Sequence, residues 1–444
     1  MSKKKVAIVR YEKPFDSVKK AVELSGGFEH LPQNAKVFIK PNIVFWTKVV
    51  PFPKWGVITT SRVIEDMVML LKEHGIDDIT IGEGIVGDLK DKETPAHAFE
   101  TLGYGNLKKR YGVKAINIMD RPFEKVDLGD NIQLSFNSDI LHSDYIVDIP
   151  AMKSHNQTIV SLGIKNLKGT IDMKSRKKCH NADLEKDLHF HVSRLPDKLP
   201  PIFTLIDGIY SLERGPAFDG KMRRSNLLIA SSDILSADMA GASVLGHEPK
   251  EVLHIMHAAK NRNRPLDLSD IEVVGEKIED VASLHEWDFL YTKTEKGEIP
   301  TPMTKNGIEG LFYRKFDSTM CTYCSGLNGL MLSAIRYAWK GEPWDRVELL
   351  TGKKMKPAPG MNKTILMGKC MYQAHKDNPD IKEMIPIKGC PPKTKDMIDA
   401  LHKAGIDVDP GLFDQIDQLP GFFMGRYAGK PEFDEGFYRI EQEG

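Results

Sequence analysis

Four of the five cysteines in the chain lie in its last third, where they could act together as ligands. They are Cys321, Cys324, Cys370 and Cys390, and the last is followed directly by two prolines. Four thiolates are the number that saturates an iron–sulfur cluster or a tetrahedral zinc ion. Because disulfides do not persist in a reducing compartment, clustered thiols in a chain with the composition of a cytosolic protein favour a metal site.

The spacing of these cysteines favours iron–sulfur over zinc, because a zinc ribbon normally has two close cysteine pairs and this chain has one. Cys370 and Cys390 each end an apolar run, so each is predicted in the loop after a strand. Cys321 and Cys324 precede a helical pattern over residues 327–339, and a helix start favours the ionised thiolate. We expect one [4Fe–4S] cluster, with zinc as the alternative. Cys179 is expected to be a small buried hydrophobe.

A second set of polar residues follows predicted strands in the first half of the chain. The carboxyl ends of strands carry the chemistry in α/β sheets. We expect Lys153 and His155 in a loop at the start of a helix, where cationic donors beside the positive helix end would form an anion site. Together the set predicts a pocket for a carboxylate or phosphate. The residues expected to be catalytic are Lys153, His155 and Lys165, and those expected to bind substrate are Lys40, Asn42, Glu83, Asn166 and Asp207.

Short apolar runs alternate with amphipathic runs over the first two thirds of the chain, which predicts an α/β fold with a mainly parallel sheet and flanking helices. Residues 1–285 are predicted to form this α/β domain, followed by a polar connector over 286–306. A small α/β cysteine module is predicted over 307–408. Residues 409–444 are rich in Gly, Phe and acidic residues and are predicted to be an irregular tail.

Charge and hydropathy narrow the classes of partner. Lys and Arg together count 62, as do Asp and Glu, so bulk charge does not favour nucleic-acid binding. The sequence contains no run of 18 apolar residues, so we expect no membrane partner. We expect a cytoplasmic location. The expected partners are a small anionic substrate, a redox protein and a second copy of the chain in a homodimer.

Several motifs of the first two thirds resemble a known family. They include Lys40-Pro-Asn-Ile-Val44, Gly82-Glu-Gly84, residues 148–155 and 162–169, and Ile206-Asp-Gly-Ile209. Over about residues 5–285 the chain resembles the uncharacterised iron–sulfur family called domain of unknown function 362. That resemblance implies a fold distantly similar to lactate racemase, whose catalytic loops use Lys and His. Family members often carry an appended ferredoxin-like segment, but the compact ferredoxin cysteine run is replaced here by the spread pattern.

Three functions are compatible with these patterns. The leading hypothesis is a redox enzyme of anaerobic metabolism, whose cluster passes electrons to or acts on a small anionic substrate. The second is a non-redox isomerase or racemase-like enzyme, in which Lys153 and His155 transfer protons and the cluster is structural. The third is an electron carrier or cofactor-assembly partner that is not an enzyme.

Overall fold

The computed structural model describes residues 3–86, 91–183 and 185–441. None of the helices in these ranges is long and apolar enough to cross a membrane. The chain divides into two compact units, which are described separately below. The first unit contains Met1–Ser175, His189–Trp287 and Pro420–Gly444, and the second contains Arg176–Leu188 and Asp288–Leu419.

The strands are short, and many are wholly buried. In chain order they are β1 (Lys4–Arg10), β2 (Val37–Pro41), β3 (Ile79–Glu83), β4 (Lys114–Asn117), β5 (Phe123–Asp127), β6 (Gln133–Asn137), β7 (Tyr145–Ile149), β8 (Ala151–His155), β9 (Ile159–Ser161), β10 (Ile202–Glu213), β11 (Lys221–Ser231), β12 (Ile271–Gly275), β13 (Tyr291–Thr294), β14 (Gly297–Pro300), β15 (Leu311–Phe312), β16 (Val347–Leu350), β17 (Lys363–Met367) and β18 (Glu383–Ile387).

The α-helices alternate with these strands. They are α1 (Asp16–Ser25), α2 (Ser61–Glu73), α3 (Glu93–Thr101), α4 (Tyr104–Tyr111), α5 (Ser138–Leu141), α6 (Gly163–Asn166), α7 (Met173–Cys179), α8 (Leu188–Ser193), α9 (Ile234–Val244), α10 (Leu253–Asn261), α11 (Ile278–Val281), α12 (Thr301–Thr304), α13 (Thr322–Ala338), α14 (Gly368–His375), α15 (Thr394–Ala404), α16 (Gly411–Asp414) and α17 (Leu419–Met424).

The first unit is built on a ten-stranded sheet whose main path runs β12-β1-β11-β10-β7-β2-β3-β4. The five strands β10-β7-β2-β3-β4 are parallel to one another, whereas β11 is antiparallel to both β1 and β10. Strand β8 extends the sheet from β10, and β9 pairs with β8. The predicted α/β class with a mainly parallel sheet is therefore confirmed.

The second unit is built on a four-stranded sheet in which β15, β16, β17 and β18 are parallel and adjacent in chain order. Its buried core includes Leu349, Ile365 and Ile387 from the strands, together with Met331 from α13 and Met397 from α15. Parallel strands are joined by crossover connections, and α13 lies in the connection from β15 to β16 and α14 in that from β17 to β18.

The sequence prediction was wrong for Lys153 and His155, which lie on strand β8 and not in a loop at a helix start. Lys153 is opposite Leu212 of β10 and His155 is opposite Ile159 of β9. All five residues of β8 are buried, because the polar side chains find partners inside the protein. The polar residues of this run therefore form a buried strand whose side chains bond to groups inside the protein, and not an exposed loop.

The unit boundaries also differ from those predicted. Residues 286–306, expected to be a connector, contain the hairpin β13–β14 and helix α12. The C-terminal segment Pro420–Gly444 belongs to the first unit, and Arg176–Leu188 belongs to the second. The segment 409–444, expected to be irregular, contains the short helices α16 and α17. Its buried side chains explain the difference, since Tyr438 and Ile440 lie in the core of the first unit.

Candidate functional site

Three charged side chains meet at the carboxyl ends of adjacent parallel strands in the first unit. Lys40 of β2 is directly opposite Asp148 of β7, and Glu83 is the last residue of β3. The Lys40 Nζ atom lies 2.8 Å from Glu83 Oε2, and both side chains are at most 2% exposed. Glu83 also accepts hydrogen bonds from the backbone N–H groups of Ile43 and Gly84. Such extra donors are what a buried ion pair needs to offset its desolvation.

Two asparagines connect this ion pair to Lys153. The Asn166 Oδ1 atom accepts from Asn42 Nδ2 at 2.8 Å and from Lys40 Nζ at 3.4 Å, and Asn166 Nδ2 donates to Asp148 at 2.8 Å. Lys153 Nζ donates to Asn42 Oδ1 at 2.6 Å and to the Val57 carbonyl at 2.7 Å. We call the hydrogen-bonded set Lys40, Asn42, Glu83, Asp148, Lys153 and Asn166 the lysine network.

Glycine at position 169 lets the backbone approach the lysine network closely. A Cβ atom at Gly169 would lie 2.8 Å from Lys40 Nζ and 2.9 Å from Glu83 Oε1. A Cβ atom at Gly163 would similarly lie 3.0 Å from Asp148 Oδ2 and 2.9 Å from Asp238 Oδ1. The segment around α6 therefore covers the strand ends at a distance that a larger residue could not keep.

Burial changes the protonation of the network and its neighbours. Burial lowers the pKa of Lys153 to about 7, and the positive charge of Lys40 lowers it further while Glu83 opposes the change. Burial raises the pKa of Asp148 well above its usual range, despite the attraction of Lys40. Burial also raises the pKa of Asp238 to about 7, although Ile164 and Gly163 donate backbone hydrogen bonds to it. Perturbed groups gathered in one place are typical of functional sites.

The other predicted site residues lie in two places. Lys165 is half-buried, and its Nζ atom lies 3.5 Å from His155 Nε2, so these two form a pair beside the network. Asp207 is held differently, because its carboxylate accepts from the backbone N–H groups of Thr60 and Ile209. Burial raises the pKa of Asp207 to about 6. The structure thus brings five of the predicted residues together, namely Lys40, Asn42, Glu83, Lys153 and Asn166. It pairs His155 with Lys165. The Asp207 carboxylate instead accepts hydrogen bonds from backbone N–H groups, one of them at the start of α2.

The four cysteines of the second unit come from three elements around its parallel sheet, and we call them the four-cysteine site. Cys321 is the residue before α13 and Cys324 lies in the first turn of that helix. Cys370 lies in the first turn of α14, directly after β17, and not in a loop as predicted. Cys390 follows the end of β18. Cys370 and Cys390 are exposed, and the other two are half-buried.

The four thiols are close enough to influence one another electrostatically. A hydrogen bond from the Cys324 thiol, with the Cys324 and Tyr323 amides and Lys353, lowers the pKa of Cys321 to about 5. The pKa of Cys324 is raised by its hydrogen bond to Cys321 and by burial, with Cys370 and Cys390 adding to the rise. A Cβ atom at Gly368 would lie 3.5 Å from Cys324 Sγ, so the glycine leaves room beside that thiol.

Two lysines border the four-cysteine site. Lys353 attracts the thiolates of Cys321 and Cys370, and it also donates to the carbonyl of His180. The Lys177 ammonium lies 4.7 Å from the ring centroid of Tyr323, the residue before Cys324. Within the described ranges, no group of three or more His, Cys, Asp or Glu side chains is arranged to hold a metal ion as it stands.

Sequence reasoning missed four residues that the geometry makes important. Asp148 and Asp238 are buried acids of the first unit, and Lys177 and Lys353 are cations beside the thiols of the second. An acidic residue inside the apolar run 144–150 was a usable signal for Asp148. Lys177 offered no usable signal, because it lies almost 200 positions before the nearest exposed cysteine in the sequence.

Comparison with known proteins gives limited matches. A family model described as a domain of unknown function (DUF362) matches residues 37–243, which supports the predicted resemblance over that range. The thylakoid-associated protein sll1697 from Synechocystis sp. (strain ATCC 27184 / PCC 6803 / Kazusa) is 23% identical over 220 residues, or 49% of this chain. The match spans 65% of that relative's length.

Among solved structures, the chain is similar to the lactate racemase apoprotein from Thermoanaerobacterium thermosaccharolyticum. The match has a TM-score of 0.31 and 15% identity, and it covers 54% of this chain and 56% of that one. A TM-score this low carries no argument about fold or activity. The family and structural matches leave the site to be argued from its own geometry.

Proposed function

We propose that the chain is an iron–sulfur enzyme that acts on a small anionic substrate, with one [4Fe–4S] cluster held by the four-cysteine site. The observation that carries this proposal is that four thiols from three elements around one small parallel sheet lie near enough to shift one another's pKa. Convergence of thiols has a cost, because deprotonated thiols repel each other, and a cation or cluster would offset it. Lys353, which attracts two of the thiolates, supports the same reading.

The donor set fits this group. Four sulfur ligands suit iron–sulfur clusters and zinc, and oxygen-preferring metals such as Mg²⁺ and Ca²⁺ are disfavoured. The start of α13 places the backbone N–H groups of Tyr323 and Cys324 against the Cys321 thiolate, which favours the ionised ligand. When bound, such a cluster supplies single-electron transfer.

On the substrate side, we propose that Lys165 and His155 meet the anion. Lys40 and Lys153 are fully buried and already donate to protein acceptors, so they hold the site in place. Lys165 is half-buried and its Nζ atom lies 3.5 Å from His155 Nε2, which places an ammonium donor next to a ring that can donate or accept a hydrogen bond. Asn42, Glu83, Asn166 and Asp207 would position the strand ends behind this pair.

Metal analysis after purification without oxygen tests the proposal directly. We expect brown protein with about four iron and four sulfide per chain. Stoichiometric zinc without sulfide would contradict it and leave the zinc alternative. A separate measurement addresses the substrate pair: Lys165→Gln should weaken binding of the anion that co-purifies with the protein without changing its iron content.

A second candidate is a non-redox enzyme that transfers protons, such as an isomerase. The buried Lys153 favours it, because a lysine with a pKa of about 7 can be neutral at physiological pH and accept a proton. Redox titration distinguishes the two candidates. If substrate addition changes the optical spectrum of the cluster, the redox enzyme is supported. If turnover proceeds with a spectroscopically unchanged cluster, the proton-transfer enzyme is.

A further inference from the structure

A cationic pocket in the first unit lies outside the sites described so far. It has a volume of about 590 Å³ and is lined by the start of β11 and by the C-terminal segment. Its lining contains five cationic side chains and one acidic one, namely Lys221, Arg223, Arg224, Arg426, Lys430 and Glu432. A volume of about 300–1,000 Å³ is typical of small-molecule sites.

Three of these cations have no carboxylate within ion-pair distance in the described part of the chain. Arg223 and Lys221 share one carboxylate, that of Glu213, so about half of their charge is offset by the protein. Arg224 instead donates to the Asn226 side chain, and Arg426 donates to the Asp219 backbone carbonyl at 2.9 Å. The third, Lys430, is exposed and lies 5.9 Å from the ring centroid of Tyr427. Like charges gathered in this way repel each other unless an anion joins them.

The pocket is assembled by ordered contacts. The Tyr427 hydroxyl accepts from the Met222 backbone N–H at 3.0 Å and donates to the Gly220 carbonyl at 3.2 Å. The Arg224 guanidinium lies 4.6 Å from the ring centroid of Tyr210 and 4.3 Å from that of Phe437. These contacts hold Arg224 and the Tyr427 side of the pocket in place before any ligand arrives, which lowers the entropy lost on binding.

The apolar part of the lining restricts the ligand further. Met222, Tyr427 and Phe433 also line the pocket. Met222 and Tyr427 are buried, so the half-buried Phe433 offers the ring surface that a ligand can reach. Arginine is suited to phosphate because its planar group donates two parallel hydrogen bonds, and aromatic side chains suit a flat organic group. Free inorganic phosphate would use the cations and leave the exposed part of the Phe433 ring uncovered.

We propose that this pocket binds a phosphorylated small molecule with a flat organic part, of the size of a nucleoside monophosphate. The phosphate would lie between Arg224, Arg426 and Lys430, and the organic part against Phe433. The inference is independent of the metal and of the lysine network, since none of their residues line the pocket.

Calorimetric titration of the full chain with adenosine monophosphate tests this inference, with adenosine and inorganic phosphate as comparison probes. We expect adenosine monophosphate to bind more tightly than either probe, and less tightly as salt is added. The double variant Arg426→Gln/Lys430→Gln should lose at least about tenfold in affinity, since it removes two charge-assisted contacts. Both side chains are exposed, so the fold should be unaffected, and iron content should not change.

The matched control is Lys108→Gln/Lys109→Gln, which removes the same charge from exposed positions on α4. It should bind adenosine monophosphate as the unaltered chain does. Equal losses in both double variants would mean bulk charge attraction and would overturn the site. Inorganic phosphate binding as tightly as adenosine monophosphate would also overturn it, because the aromatic lining would then contribute nothing.

Discussion

The lysine network of the first unit and the four-cysteine site of the second occupy equivalent positions on their own parallel sheets. Both gather polar side chains at the carboxyl ends of adjacent strands, and both use a glycine to admit a side chain. They differ in how their charges are balanced. Lys40 forms an ion pair with Glu83, and Lys153 donates hydrogen bonds to Asn42 and the Val57 carbonyl. The cysteines instead lie near one another, with lysines at the border of the site.

The difference indicates what each site requires. A buried network that satisfies its own donors is stable without a ligand and can serve as a rigid support for Lys165 and His155. Four converging thiols, two of them exposed, contribute little to the fold by themselves. We therefore expect substitutions in the lysine network to lower stability and substitutions in the four-cysteine site to remove a cofactor.

The largest effect should come from the four-cysteine site. Cys390→Ser should lose most of the bound iron, because a hydroxyl is a poor replacement for a thiolate ligand. Iron and sulfide analysis of protein prepared without oxygen measures it. The matched control is Cys179→Ala, at the cysteine that the pattern leaves out, which should keep its iron. Equal iron in Cys390→Ser and the unaltered chain would remove the proposed contrast between the two sites.

Next in size is the effect of breaking the buried ion pair. Lys40→Met leaves the Glu83 carboxylate without its cation and should lower the free energy of unfolding by about 3–5 kcal/mol. Denaturant unfolding measures this, and Glu83→Gln added to Lys40→Met should restore part of the loss. The control Lys19→Ala breaks the exposed pair with Glu73 and should change stability by less than about 1 kcal/mol. Similar losses in both variants would mean that burial is not what matters.

A pH dependence should follow from Lys153. Its pKa is about 7 in the folded protein and about 10.4 in the unfolded chain, so the unfolded chain binds the additional proton between these values. Stability contributed through Lys153 should therefore rise with pH from about 7 to 10, by at most about 1.4 kcal/mol per pH unit. The rise should be absent in Lys153→Met, measured by denaturant unfolding at pH 7 and 9. A rise of the same size in that variant would assign it to other groups.

Asp207 and Asp238 act in a separate window. Their folded pKa values are raised to about 6 and about 7, so the stability they contribute is present at low pH and lost as pH rises through those values. Stability should therefore fall with rising pH below about pH 7 because of the two aspartates, and rise above it because of Lys153. The contribution of Lys153 can be measured separately above pH 7.

The smallest effect tests the close approach at Gly169. Gly169→Ala places a Cβ atom against Lys40 Nζ and Glu83 Oε1 and should lower stability by about 1–3 kcal/mol through overpacking. Gly105 on α4 has open space around its Cα, so Gly105→Ala is the matched control and should raise stability by about 0.5–1 kcal/mol. Thermal unfolding compares the two. If Gly169→Ala leaves stability unchanged, the backbone after α6 moves readily and does not fix the position of the lysine network.

The sequence predicted the fold class and many elements because hydrophobic periodicity reports local structure directly. The amphipathic run 61–74, which opens on Ser61, predicts a helix that ends within one residue of the observed α2, although the cap is Thr60 and not Ser61. The pattern over residues 96–111 predicts one helix, but Gly103 adopts a left-handed backbone that separates α3 from α4. A helical pattern that contains a glycine does not say whether the backbone turns there.

The sites were harder to predict, because their geometry depends on residues far apart in the sequence. The predicted set Lys40, Asn42, Glu83, Lys153 and Asn166 does form one group, but its charges are neutralised internally through Glu83. The pattern could not show this, since a lysine paired inside the protein and a lysine waiting for an anion have the same local sequence. Their ligand-binding roles and the roles of the cysteines stay predictions.

The first unit begins and ends on either side of the second, and this affects the order in which the two can be completed. Tyr427, Tyr438 and Ile440 belong to the buried core of the first unit, yet they follow Asp288–Leu419 in the chain. During translation the second unit therefore leaves the ribosome before the first has all of its core. Until Pro420–Gly444 is synthesised, the earlier residues of the first unit keep part of their apolar surface uncovered. A ribosome that stalls within the second unit should therefore release a nascent chain prone to aggregation.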